Sequence, residues 1–171
     1  QLVEVIDVEK VLQEVSPYNT TVNPDVLDQE LVSRAQGLEI LAVDDSTVGL
    51  AQVRETVQQL GVKLVSASDG AMALKMLKGW ADKGIDVPKK LVMVITDAEM
   101  PEMDGYRLTR EIRDDPRLKD LFVVLHTSLS GSFNEAMVEK VGCDGFLSKF
   151  EPDKLAITVQ NRIKDYLDPN T

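Results

Sequence analysis

Acidic, hydroxyl and ammonium side chains recur in this sequence directly after short apolar runs. Asp44 and Asp45 follow residues 38–43, Asp97 follows 91–96, Thr127 and Ser128 follow 121–126, and Lys149 follows 145–148. Carboxylates gathered in one cleft repel one another unless a cation sits among them, and oxygen ligands suit a hard ion such as Mg²⁺ that keeps some of its waters. A carboxylate, a divalent ion, an ammonium and a hydroxyl are together the groups needed to accept and stabilise a phosphoryl group. Each has a plainer use alone. An Asp-Asp pair before Ser46 and Thr47 can begin a helix, Asp104-Gly105 is a turn signal, and a single Thr or Lys at a strand end is usually a surface residue. The conjunction carries the argument: an acid pair, a single acid, a hydroxyl and a lysine, in that order.

The elements that must position them are legible as periodicities. Residues 38–43, 62–67, 91–96, 121–126 and 145–148 read as five strands, the first, third and fourth apolar enough to be covered on both faces. Between and after them lie stripes at helical spacing: Leu50, Val53, Val57 and Leu60; Ala73, Met76, Leu77 and Trp80; Leu108 and Ile112; Phe133, Ala136, Met137 and Val141; Leu155, Val159, Ile163 and Tyr166. Residues 79–90, with Gly84 and Pro88, read as an exposed loop. The alternation predicts an α/β fold, a doubly wound five-stranded parallel sheet with helices on both faces. Ligands of such sheets bind outside the carboxyl ends of the strands, where the polar set falls.

Composition narrows the function further. Lys and Arg number 19 against 29 Asp and Glu, a formal charge of −10, so nucleic-acid binding would have to work against the field of the whole protein. One Cys excludes an internal disulfide, and one Cys with one His disfavours structural zinc, which fits a cytoplasmic setting. No apolar run is long enough for membrane insertion. Residues 1–36 carry seven acids and two bases. Residues 2–6 suggest a strand, 7–15 a helix, 16–24 a turn-rich connection and 25–36 a short helix ended by Gly37. This stretch reads as the end of an upstream domain plus linker, with the second domain over 37–171.

Residues 38–167 resemble the two-component response-regulator receiver domain, most specifically at Asp97-Ala98-Glu99-Met100-Pro101-Glu102-Met103-Asp104-Gly105. The resemblance implies a flavodoxin-like sheet of strand order 2-1-3-4-5. It implies that Asp97 is the phosphoacceptor and that Asp44, Asp45, Asp97 and the Glu99 carbonyl hold Mg²⁺. Thr127 would be the switch hydroxyl, Lys149 the phosphate-contacting lysine and Phe146 the aromatic switch. Receivers commonly place a cis proline after the lysine, but here Phe150 follows Lys149. A cis bond there would cost roughly 2.5–4 kcal/mol, so a trans bond or a rebuilt loop is expected.

The stretches 126–134 and 142–150 look like the receiver of CheV-type chemotaxis coupling proteins, which join a CheW-like adaptor to a receiver. Residues 2–15 resemble the end of such an adaptor. The implied partners are a histidine kinase of the chemotaxis system and, through the adaptor, chemoreceptors. The implied role is a non-enzymatic signalling domain that modulates a receptor-kinase array. Two alternatives remain at this stage: a Mg²⁺-dependent phosphohydrolase with an Asp nucleophile, and a receiver-like interaction module that is never phosphorylated.

Overall fold

The computed structural model describes residues 22–128 and 134–169. The expected strand and helix within 2–15 lie outside the described residues, as does Phe133. Five strands, β1 (Glu39–Val43), β2 (Lys63–Ala67), β3 (Leu91–Asp97), β4 (Val123–Thr127) and β5 (Gly145–Ser148), form one sheet in the order β2-β1-β3-β4-β5. Every pairing is parallel. This is the doubly wound arrangement expected from the sequence, with β3 buried at every position.

Around the sheet lie α1 (Gln29–Arg34), α2 (Thr47–Gln59), α3 (Gly70–Asp82), α4 (Val87–Lys90), α5 (Gly105–Asp114), α6 (Glu135–Val141) and α7 (Pro152–Leu167). On one side, Val53, Val57 and Leu60 from α2 and its end join Leu155, Val159 and Ile163 of α7 over Ile40, Ala42, Met93 and Ile95. On the other, Ala73 and Leu77 of α3 and Leu108 and Ile112 of α5 pack with Leu41, Val43 and Val94. The helical stripes thus converge on the alternating faces of the strands.

Two expectations are revised. Residues 79–90 are not one exposed loop: α3 runs on through Trp80 and Ala81 to Asp82, and Val87–Lys90 forms a further helical turn around the buried Val87. Pro88 fits that turn because it lies in the first positions, where no intrahelical N–H bond is required. The stretch 25–36 divides into a 3₁₀ turn at Pro24–Val26 and α1, which restarts because Asp28 accepts a hydrogen bond from the Leu31 N–H. Gly37 then closes it at φ +87°.

Residues 22–36, expected as linker, pack on the receiver. Val22, Leu31 and Ala35 are buried, and the latter two belong to the same apolar cluster as Val159 and Ile163. Arg34 forms a two-point ion pair with Asp168 at 3.1 Å. Burial of Leu31 and Ala35 in a shared core makes this segment a strap on α7 rather than a free connection.

Candidate functional site

Parallel strands deliver their carboxyl ends to one edge, and there β1 presents Asp44 and Asp45, β3 Asp97, β4 Thr127 and β5 Lys149. Oxygen atoms of Asp44, Asp45 and Asp97 all lie within 4.8 Å of one another. Asp44 and Asp97 are buried and Asp45 is exposed. The Lys149 ammonium bridges the buried pair, 2.9 Å from Asp44 Oδ2 and 3.2 Å from Asp97 Oδ2. Thr127 is buried at the end of β4, and its carbonyl accepts from the Lys149 N–H at 2.9 Å, tying these two positions together.

Local chemistry holds each carboxylate in place. Asp44 Oδ1 accepts from the Ser46 N–H at 2.8 Å, while the Ser46 hydroxyl accepts from the Gly49 N–H at 3.1 Å and caps α2. The Glu99 N–H donates to Asp97 Oδ1 at 3.3 Å. Asp104 caps α5 by accepting from the Arg107 N–H, which makes the Asp104-Gly105 pair a structural feature. Gly105 is nevertheless tied to the site, since a Cβ there would stand 2.2 Å from the Asp97 carbonyl oxygen. The described residues contain no cis peptide bond, so Lys149–Phe150 is trans, one of the two outcomes expected when phenylalanine replaces proline.

The electrostatics are those of an acid pair short of positive charge. Burial first, and the Asp44 carboxylate second, push the Asp97 carboxyl up to about 6, against the opposing pull of Lys149 and the Glu99 N–H. Burial alone would lower the Lys149 ammonium, but its bonds to Asp44 and Asp97 outweigh that and raise it. Protonation of Asp97 is therefore easier than for an ordinary aspartate, and a divalent cation would relieve the same repulsion. Convergent hard oxygen donors around uncompensated negative charge fit Mg²⁺.

Two residues absent from the expected set shape this cleft. A Cβ on Gly49 would lie 2.1 Å from Asp44 Oδ2, so glycine lets α2 approach the carboxylate. Its sequence signal is a glycine inside the first turn of an amphipathic helix, where most residues have better helix propensity. His126 is buried on β4 beside Asp97 in the strand register, and its Nδ1 has no hydrogen-bond partner. Burial and then the Lys149 charge hold the imidazole down at about 4. Phe146, on the edge strand β5, is 37% exposed.

Fold and cleft together are those of a receiver domain, and the comparisons agree. The family described as "Response regulator receiver domain" matches residues 40–160, and the chain belongs to that family. It is similar to the chemotaxis protein CheV1 of Helicobacter pylori, with 30% identity over 98% of this chain and 50% of that protein. The chain spans about half the length of the curated relatives it matches. A receiver domain of a signal-transduction histidine kinase from Syntrophus aciditrophicus superposes with a TM-score of 0.64 at 25% identity, over 79% of this chain and 96% of that one. A second histidine-kinase receiver, from Pseudomonas aeruginosa, superposes at 0.61 with 23% identity over 74% and 98%, and is described with a magnesium ion coordinated in its active-site cleft. Among the described residues of the present chain, no helix is long and apolar enough to cross a membrane.

Proposed function

We propose that this chain is a receiver that takes a phosphoryl group from a histidine kinase onto Asp97 and passes the event on as a change of surface. The observation that carries the reading is the Lys149 ammonium, held within 3.2 Å of both buried carboxylates in a cleft where three aspartates converge. Asp44, Asp45, Asp97 and the Glu99 carbonyl would hold Mg²⁺. When bound, that ion supplies positive charge opposite the transferring phosphoryl oxygens.

The chain's own groups perform the rest. An Asp97 carboxylate oxygen attacks phosphorus, so that an O–P bond forms as the N–P bond to the donor imidazole breaks. Lys149 stabilises the charge gathering on the phosphoryl oxygens, and the Glu99 N–H orients the attacking carboxylate. Thr127 would then move toward the new group and give Phe146 room to turn inward, altering the faces of α6, β5 and α7. Such a domain catalyses only its own phosphotransfer and slow dephosphorylation.

The similarity to CheV1 supports a place in chemotaxis signalling, in the cytoplasm, with the kinase of that system as donor. The resemblance of residues 2–15 to the end of a CheW-like adaptor supports such a domain ahead of the receiver, through which the protein would meet chemoreceptors and modulate the array. The test is incubation with acetyl phosphate and Mg²⁺ followed by mass spectrometry. One phosphoryl group on Asp97 is expected, lost on adding chelator or on Asp97→Asn. Labelling that persists in Asp97→Asn overturns the assignment.

A further inference from the structure

The first turn of α7 differs from those of the other long helices. Ser46, Asp69 and Asp104 cap α2, α3 and α5 through a side-chain oxygen, whereas Glu151 at the start of α7 makes no such bond. That turn is held from outside, by the Asn23 N–H donating to Asp153 Oδ1 at 2.8 Å. The strap then follows α7 along its length. Gln160, 5% exposed, accepts from the Asp28 N–H and donates to the Val26 carbonyl, each at 2.8 Å. Arg34 reaches Asp168 just past the helix. The three levels of attachment spread over about 22 Å at the usual helical rise.

The direction of the strap matters. Because α7 follows β5 in a parallel sheet, its first turn stands at the carboxyl ends of the strands, the edge that carries Asp44, Asp97 and Lys149. Lys149 precedes Asp153 by only four residues. Asn23 therefore lies at the rim of the carboxylate cleft, against the helical turn that Lys149 leads into.

We propose that residues 22–36 are a transmission strap: the Asn23–Asp153 bond couples the phosphoryl state of Asp97 to the segment that precedes residue 22. The inference rests on Asp97 as phosphoacceptor. A phosphoryl group there gives Lys149 a new partner in place of the Asp97 oxygen it now holds at 3.2 Å. The backbone from Lys149 to Asp153 shifts with it, with no side-chain cap to resist. The buried Gln160 pin, on Val26 and Asp28, and the Arg34 pin keep the remainder of the strap on α7, so the displacement is confined to residues 22–25. Asp153 is a positioning residue, and coupling of this kind is reciprocal between the two sites.

Amide hydrogen exchange on the full chain tests this, with and without beryllofluoride and Mg²⁺, while fluorine NMR reports occupancy of the site. Occupancy should change exchange at the Asn23 amide by about fivefold or more, while the Asp28 amide, held by Gln160, should exchange as before. Asp153→Ala should abolish that response while still binding beryllofluoride, and Asp153→Asn, which keeps an acceptor oxygen, should restore it. Arg34→Ala, which cuts the distal pin, should leave it in place. A bound fluoride signal with unchanged strap exchange in the parent overturns the coupling and leaves the Asp97 reading standing. No bound signal in the parent overturns the Asp97 reading and the coupling with it. A full response in Asp153→Ala, or its equal loss in Arg34→Ala, overturns the role of the first-turn pin.

Discussion

Asp97 and His126 face each other across the β3–β4 register, yet burial shifts them in opposite directions because one is charged when deprotonated and the other when protonated. Asp97 titrates near 6 in the folded metal-free protein, above the value near 4 of an unfolded chain. Its charge therefore opposes folding as pH rises through 6, and that penalty disappears below about 4. In chelator at pH 8, Asp97→Asn is expected to unfold several degrees higher than the parent, and the gain should shrink toward pH 4. An equal or lower unfolding temperature at pH 8 would show that Lys149 already compensates the pair. His126 carries the opposite sign: depressed to about 4, it stays neutral at physiological pH, and folding loses its support as pH falls from about 6.5 toward 4. Since it is the single histidine, its ring proton resonances can be followed without assignment, and they should hold their neutral positions from pH 8 to pH 5.

At the scale of elements, the site depends on how closely helices approach strand ends. Gly49→Ala improves helix propensity yet places a methyl 2.1 Å from Asp44 Oδ2, so the carboxylate must move. Mg²⁺ affinity measured by titration calorimetry should fall about 10–100-fold, as for other groups that orient a metal ligand, while the unfolding temperature changes little. Unchanged affinity would remove Asp44 from the ligand set. The sequence exposes part of this architecture. Strand runs and the polar residues ending them were readable because a strand buried on both faces is an unbroken apolar run, as in β3. Gly49 was not, because its role comes from a contact between a helix and the loop before it, and no periodicity records that. The helical turn at Val87–Lys90 was hidden for a similar reason: its burial comes from a single valine between Gly84 and Pro88, too short a signal to distinguish from a loop.

For the molecule as a whole, the strap changes what counts as the domain. Leu31 is 4% exposed against α2 and α7, so Leu31→Ala should cost about 2–4 kcal/mol in urea unfolding, the usual range for a buried leucine. A loss under about 0.5 kcal/mol would return the segment to the status of a linker. Sequence reading placed the boundary at 36 because acids dominate the preceding stretch, and Leu31 and Ala35 among them give too few apolar positions to reveal a packed face. The order β2-β1-β3-β4-β5 also governs how the chain reaches this state. No neighbouring pair is joined by a hairpin, and β3 can pair with β1 only after an intervening strand and three helices have been passed over. Assembly waits on distant encounters, which places the chain among slower α/β folders rather than helical bundles. Through that interval the apolar run of β3 has no cover, so the yield on dilution from urea should fall as protein concentration rises, with aggregation competing against the late closure of the sheet.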